Sequence, residues 1–171
     1  ASMRFSSQED LPEKSERARL LSLAVSILLN RAGERVGLAG TSLPPKRGEG
    51  QLVRLAEALS EDSDEDYGQP ETSGMTAHGR ALFVSDFMGN IDKAKAALTE
   101  AADRGIQGVI LHLLDPAEEA FPYRGRTIFE SVGGTLAHET LKASDLRDRY
   151  LDRLAARKDE LRALCATTGW Q

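Results

Sequence analysis

Two acidic residues follow the two short apolar segments of the chain that look most like buried strands. Asp86 comes just after the segment 81–84, and Asp115 comes just after the segment 108–114. In an open α/β sheet, ligands gather beyond the carboxyl ends of the strands. If the two segments are neighbouring strands, the carboxylates could share a Mg²⁺ ion, as in metal-dependent phosphoryl enzymes.

Each acid also has a simpler, structural interpretation. Asp86 would then only cap the turn that follows it. Asp115 and Pro116 would end the second strand, while Glu118 and Glu119 face water. For the pair of acids we favour this structural interpretation over a shared metal ion.

The other candidate residues for chemistry give weaker patterns. Asp62, Asp64 and Asp66 have the opening spacing of a calcium-binding EF loop, but Tyr67 replaces its turn glycine and Ser73 its bidentate glutamate. The three histidines lack zinc-ligand spacing, and the single cysteine excludes an internal disulfide. No phosphate-binding glycine loop and no nucleophile elbow occurs in the sequence.

The composition indicates one soluble domain spanning residues 1–171. Apolar residues make up 40% of the chain, which is enough for one core. The net charge of −5 argues against a general nucleic-acid surface. Neither a bilayer-spanning apolar run nor a signal peptide is evident. We therefore predict a cytoplasmic location, with no membrane contact by this segment.

Alternating periodic segments predict a doubly wound α/β sheet with a small β extension. The predicted helix at 15–31 is apolar nearly all round, which is typical of a buried helix. The second strand places His112 in the core, with its hydrogen bonds satisfied there. A strand, helix and strand of these lengths predict a parallel crossover. The predicted helices are 15–31, 51–60, 90–104 and 145–168, and the predicted strands are 35–40, 81–84 and 108–114. A hairpin is predicted over 126–131 and 135–140, and a mobile acidic loop over about 61–79.

Five stretches, in this order, resemble one known family. They are Ser2-Met3 before a polar loop and apolar helix, Gly-Glu-Arg-Val-Gly-Leu at 33–38, Leu-Pro-Pro-Lys-Arg-Gly at 43–48, Val-Ser-Asp-Phe at 84–87 and Leu-Asp-Pro-Ala-Glu-Glu at 114–119. Their order and spacing resemble the bacterial domain-of-unknown-function family fifty-eight. Its members carry a von Willebrand factor A-like domain and are typically encoded beside MoxR-type AAA+ ATPases.

The resemblance implies a Rossmann-like three-layer αβα fold with a mostly parallel sheet. It also implies a metal-ion-dependent adhesion site, in which hydroxyls and carboxylates hold a hard cation that a partner's carboxylate completes. Ser2 matches the last serine of the first metal loop, and Asp86 matches the strand-end acid. Thr72 and Thr76 are the candidates for the threonine of the second loop, although neither has its Gly-Gly-Thr-Asp context.

The same resemblance places the first central strand, with the aspartate and first serine of the metal loop, before residue 1. The chain then corresponds to an N-terminally truncated domain with at most half of a metal site. We expect Mg²⁺ or Mn²⁺ only in the intact parent and no cofactor in this chain. Neighbouring strand edges would be exposed, which favours a rearranged sheet edge or self-association into a homo-oligomer.

Three functions remain open at this point. The first is a non-enzymatic interaction module that works with a MoxR-type ATPase and protein clients in chaperone-like assembly or maturation. Its partner-binding residues would be Ser85, Asp86, Phe87, Asp115 and Glu118. The second is a Mg²⁺-dependent phosphohydrolase that uses Asp86 and Asp115. The third is a metal-free structural scaffold.

Overall fold

Helices and strands alternate along the part of the chain that the structure describes. The computed structural model describes residues 2–61, 70–125, 127–130, 137–140 and 144–171. The elements are α1 (Lys14–Arg31), α2 (Glu49–Ser60), β1 (Arg80–Ser85), α3 (Ile91–Asp103), β2 (Gln107–His112), α4 (Pro116–Ala120), β3 (Thr127–Glu130), β4 (Ala137–Thr140) and α5 (Ser144–Thr168). This mixture agrees with the predicted α/β class. None of the helices in these ranges is long and apolar enough to cross a membrane.

The strands β1 and β2 form a parallel pair, as the sequence predicts. Their register runs from Arg80 opposite Gln107 to Ser85 opposite His112. The crossover is α3, whose first turn is capped by Asn90: the Asp92 backbone N–H donates to Asn90 Oδ1 at 2.9 Å. Because the strands are parallel, their carboxyl ends meet at one edge of the sheet.

A small core fixes α3 and α5 against this parallel pair. Its fully buried members are Leu98 and Ala101 of α3 and the adjoining Ile106, with Leu164 of α5 beside them. Alanines on the inner face of α3 allow close approach of the helix to its neighbours. A second cluster of buried residues, Phe87, Ala94 of α3 and Leu161 of α5, packs beyond the carboxyl end of β1.

The last two residues cover the outer edge of β2. The Trp170 indole N–H donates to the Ile106 carbonyl at 3.1 Å, and its ring stacks on Phe83 at 5.2 Å between centroids. The Gln171 N–H donates to the Gly108 carbonyl, and its own carbonyl accepts from the Ile110 N–H at 2.7 Å. A Cβ on Gly108 would lie 2.6 Å from the Trp170 ring, so a side chain cannot be accommodated there.

The predicted strand at 35–40 is wrong, because only Val36 pairs there. Val36 and Lys46 form an isolated antiparallel bridge. Gly37 lies against Pro45, with 3.1 Å from an ideal Cβ position to the proline, and Gly40 has a φ of +76°. Pro45 has no N–H to donate, so the ladder cannot lengthen on that side. The Val36 carbonyl accepts from the Lys46 N–H at 3.1 Å and also from the buried Gln51 amide at 2.9 Å.

Helix α1 matches its predicted bounds within one residue, but the expectation that it is buried is wrong. Leu20 is 69% exposed and Leu28 is 64% exposed, and Leu21, Val25 and Leu29 are partly exposed. The helix packs on α2 and β1, and these neighbours cover only part of its apolar surface.

The predicted hairpin and last helix are confirmed where they can be compared. Strands β3 and β4 pair antiparallel, from Thr127 opposite Thr140 to Glu130 opposite Ala137. Residues 131–136, which would form the turn, lie outside the described residues, as do residues 62–69 of the predicted acidic loop. Helix α5 begins one residue before the predicted start, so that Asp145 lies in its first turn.

Candidate functional site

A buried ammonium joins the segments that follow β1 and β2. Lys14, in the first turn of α1, has no exposed side-chain surface. Its Nζ lies 2.9 Å from Asp86 Oδ2 and 2.6 Å from Glu118 Oε1. The ammonium also lies 5.8 Å from the centroid of the Phe5 ring. Two carboxylates and an aromatic face thus surround one positive charge.

Asp86 acts as a turn cap and as a partner of this charge. Its Oδ1 accepts from the Met88 backbone N–H at 3.1 Å. The turn places Phe87 at a φ of +47°, in the left-handed region. The structural interpretation of Asp86 as a cap is therefore confirmed, and the contact with Lys14 is added to it.

Asp115 is fully buried and begins the short helix α4. Its Oδ1 accepts from the Ala117 N–H at 2.8 Å, and its own N–H donates to Glu118 Oε2 at 2.8 Å, which completes a capping box. Its Oδ2 accepts from the Ser7 backbone N–H at 3.1 Å. Asp115 thus ties the N-terminal loop to the end of β2.

The pKa of Asp115 is lowered from its ordinary value. Burial alone raises this pKa, but hydrogen bonds from Ser7 and Ala117 and the charge of Arg17 together outweigh it. The Arg17 Nη2 atom lies 3.9 Å from Asp115 Oδ2, which is too long for a hydrogen bond. Among the described residues, the buried Arg17 Nε and Nη2 atoms have no hydrogen-bond partner. The carboxylate is therefore stabilised in its ionised form chiefly by hydrogen bonds from Ser7 and Ala117.

The two glutamates of α4 have different surroundings. Glu118 is only 18% exposed, contrary to the structural interpretation of this segment, because its Oε1 accepts from the Lys14 ammonium and its Oε2 from the Asp115 backbone N–H. Glu119 does face water: its side chain is 56% exposed and pairs with Lys158 of α5 at 2.6 Å.

Aromatic side chains lie on the flank of this charged group. His112, at the end of β2, meets the Phe87 ring edge-on at 6.0 Å, and burial lowers its pKa. His112 is only partly buried, and among the described residues its buried Nε2 atom has no hydrogen-bond partner, so the prediction of a core histidine with satisfied hydrogen bonds is wrong. Tyr150 packs on Phe121 at 4.8 Å, and burial, followed by the charge of Glu118, raises its pKa to about 12.

Helix α5 holds the loop after β1 from the other side. Arg157 Nη1 donates to the Phe87 carbonyl and to the Gly89 carbonyl, the latter at 2.9 Å. The Ser85 hydroxyl accepts from the Phe87 N–H at 3.2 Å. The loop at 86–90 is therefore fixed from α1, through Lys14, and from α5.

Of the predicted metal ligands, the two threonines lie away from Asp86, whereas Ser2 lies in the loop before α1, whose Lys14 contacts Asp86. Ser2 lies in a turn whose next residue, Met3, accepts a backbone hydrogen bond from Ser15, so this loop sits at the start of α1. Thr72 is buried and its carbonyl accepts from Arg104, which follows α3. Thr76 is exposed and lies just before β1. Both threonines therefore lie towards the amino end of β1, whereas Asp86 follows its carboxyl end, about 20 Å away for six strand residues.

The described side chains around Asp86 do not fit a divalent cation. Both Asp86 oxygens already accept hydrogen bonds, from Lys14 and from Met88. Across the described ranges, no group of three or more His, Cys, Asp or Glu residues could hold a metal ion. Asp86 Oδ2 and Glu118 Oε1, which face each other across the site, both contact the Lys14 ammonium, so a divalent cation could use them only by displacing it.

Lys14 and its link to Glu118 were missed from the sequence. The only signal in the sequence was weak: a helix N-terminus favours acidic residues, so Lys14 is unfavourably placed there, but Arg17 shares the same turn. That signal does not identify the partner, because Asp86 is 72 residues away.

The comparison with known proteins gives one match. A family model described as "Protein of unknown function DUF58" matches residues 1–160. Neither a curated protein nor a solved structure shows significant similarity to the chain.

Proposed function

We propose that this chain, which belongs to the DUF58 family of proteins of unknown function, is a non-enzymatic protein-interaction module of the von Willebrand factor A type. Its partner in this proposal is a MoxR-type AAA+ ATPase, and their joint role is chaperone-like assembly or maturation of other proteins. The ATPase and the von Willebrand likeness come from the motif resemblance described above. The surface and its mode of action come from the geometry of the site.

The observation that carries the proposal is the buried network at the carboxyl ends of β1 and β2. Lys14 links α1 to the loop after β1 and to α4. Asp115 links α4 to the N-terminal loop through Ser7. Three chain segments that are distant in sequence are thereby fixed as one surface. A pre-organised surface binds a partner without first losing the entropy of its loops.

Within this surface, the buried residues position the loops and the exposed residues meet the partner. Asp86, Phe87 and Asp115 are at most 6% exposed, so a partner cannot reach them without opening the site. The exposed Ser7, and Glu9 and Asp10 beside it, lie in the N-terminal loop that the network holds. We therefore propose that the N-terminal loop contacts the partner, and that the buried Asp86 and Asp115 hold the neighbouring segments in position.

A metal-dependent phosphohydrolase is the second candidate. It is favoured by the position of Asp86 and Asp115, which follow neighbouring parallel strands. It is disfavoured by the contacts of both acids, since each of their oxygens already accepts a hydrogen bond from Lys14 or from a backbone N–H. A phosphohydrolase needs carboxylate oxygens that are free to hold the ion.

Binding to the ATPase tests the leading proposal. The chain is immobilised, and its binding to the MoxR-type ATPase encoded beside its gene is measured by biolayer interferometry. The ATPase is loaded with ADP or with a non-hydrolysable ATP analogue. We expect saturable binding. The double variant Glu9→Lys/Asp10→Lys should weaken it about tenfold, because reversing charge at an interface opposes association.

A matched control is Glu49→Lys, which also reverses an exposed acidic residue. Glu49 begins α2 beside Gly48, whose N–H donates to Asn30 near the far end of α1. Since α1 has 18 residues, this end lies about 25 Å from the N-terminal loop. Equal weakening by the control, or no binding at all, would contradict the docking proposal. Hydrolysis of p-nitrophenyl phosphate that disappears in Asp86→Ala would favour the phosphohydrolase instead.

A further inference from the structure

We propose that Lys14 is the resident cation of the strand-end site, and that its ammonium closes the site to divalent metal ions. A metal at Asp86 is what the family resemblance implies, and the arrangement of side chains disagrees with it. The inference concerns only what occupies the site. It holds whether or not the chain docks on an ATPase.

The first support is the position of the charge. Lys14 Nζ is 2.9 Å from Asp86 Oδ2 and 2.6 Å from Glu118 Oε1, so it lies between the two carboxylates. An oxygen-bound divalent cation needs the same oxygens at about 2.0–2.6 Å. The ammonium and the ion would therefore compete for one place.

The second support is that the remaining carboxylate oxygens are already used. Asp86 Oδ1 accepts from Met88, and Glu118 Oε2 accepts from the Asp115 N–H. Turning either carboxylate towards an ion would break the turn after β1 or the capping box of α4. An incoming ion could gain its ligands only at the cost of backbone hydrogen bonds.

The third support is the burial of Lys14. Its side chain has no exposed surface, and the Phe5 ring lies over the ammonium. A lysine ammonium is a compact point charge on a flexible stem, which suits a site shared by two acids. If the ammonium left without a replacement cation, the buried Asp86 carboxylate and the partly exposed Glu118 carboxylate would both lose their partner.

Removing the ammonium while keeping both carboxylates should therefore create a divalent-cation site. Mn²⁺ is titrated into the wild-type chain and into Lys14→Ala, and free Mn²⁺ is followed by electron paramagnetic resonance. We expect no saturable binding by the wild type up to about 1 mM, the range of weak calcium modules. Lys14→Ala should bind at least tenfold more tightly, and Lys14→Ala/Asp86→Asn should lose this binding.

The matched control is Lys158→Ala, which removes a lysine from an exposed pair with Glu119 at the same 2.6 Å separation. It should bind Mn²⁺ no better than the wild type. A folded Lys14→Ala chain that fails to bind Mn²⁺ would overturn the proposal, and so would equal gains in both lysine variants.

A second measurement needs no variant and therefore applies even if Lys14→Ala does not fold. It tests whether Mn²⁺ enters the site of the wild-type chain. Substoichiometric Mn²⁺ is added to ¹⁵N-labelled wild-type chain, and broadening of backbone amide signals is recorded. Since Lys14 closes the site, the amides of Phe87, Met88 and Ala117 should keep their line widths. Selective broadening of these amides would show that Mn²⁺ enters beside Asp86 despite Lys14, and would overturn the inference.

Discussion

Replacing Lys14 by methionine should destabilise the chain far more than the same replacement at Lys158. Both lysines place Nζ 2.6 Å from a glutamate Oε1 atom, Lys14 on Glu118 and Lys158 on Glu119. The pairs differ in exposure. The Lys14 side chain is 0% exposed and Glu118 is 18% exposed, whereas Lys158 and Glu119 are 30% and 56% exposed.

The expected magnitudes follow from this difference. Removing one partner of a buried ion pair leaves an uncompensated charge and costs about 3–5 kcal/mol. Lys14 leaves two carboxylates behind, Asp86 and Glu118, so the upper part of that range applies. An exposed pair contributes only about 0–1 kcal/mol, because water screens the charges. The melting temperature of Lys14→Met should therefore be roughly 8–20 °C below that of the wild type, and that of Lys158→Met within a few degrees of it.

Urea unfolding at neutral pH, followed by circular dichroism, measures both free energies of unfolding. A third variant, Lys14→Met/Asp86→Asn/Glu118→Gln, separates charge from packing. If unpaired charge causes the loss, this variant should regain most of the stability, since neutral residues of similar volume often replace a buried ion pair without cost. Equal losses in the two lysine variants would refute the reasoning, as would a triple variant no more stable than Lys14→Met.

Three further predictions concern other parts of the molecule. Asp115→Asn should lower the free energy of unfolding by about 1–3 kcal/mol at pH 7. Because the folded pKa of Asp115 lies below 3.8, the stability that its carboxylate gives the wild type is lost as the pH falls through that folded pKa. Urea unfolding at pH 7, 5 and 3 should therefore show a decreasing difference in stability between the two proteins. Tyr150 has a folded pKa of about 12 against an ordinary 10.0, so wild-type stability should fall as pH rises between these values, whereas Tyr150→Phe should give a flatter alkaline limb in thermal melts. Leu20→Lys/Leu28→Lys replaces the two most exposed leucines of α1 and should therefore reduce self-association, measured as molar mass by light scattering after gel filtration. The same molar mass for variant and wild type at every protein concentration would contradict this prediction.

The part of the fold that could be predicted from the sequence rests on local signals. Apolar runs between loop residues located β1 and β2, and Asn90 before a helical stripe located α3 with its cap. The segment 35–40 shows the limit of such signals. Its alternating Val36 and Leu38 favour a strand, but Gly37 packs against Pro45 and the ladder stops at one bridge.

The candidate site was predicted only in part, because its contacts span long distances in sequence. Asp86 and Asp115 were placed correctly after their strands. Their partners were not identified: Lys14 lies 72 residues before Asp86, and Ser7 lies 108 residues before Asp115. A lysine in the first turn of a helix is usually solvated, and one sequence alone does not show which acid will bury it.

The buried charge of Lys14 can fix the rotation of α1 about its axis, which the apolar surface of the helix cannot do alone. A helix that is apolar nearly all round can pack in several rotations with similar burial, and α1 indeed leaves Leu20 and Leu28 exposed. Only one rotation brings Lys14 within reach of both Asp86 and Glu118. We infer that the network contributes more to the unique orientation of α1 than to net stability, as a single buried polar residue fixes register in some coiled coils. The variant Lys14→Met/Asp86→Asn/Glu118→Gln would separate the contribution to stability from the contribution to orientation. If it regains the stability of the wild type, the charges are not needed for stability, while the orientation of α1 is no longer specified by a charge.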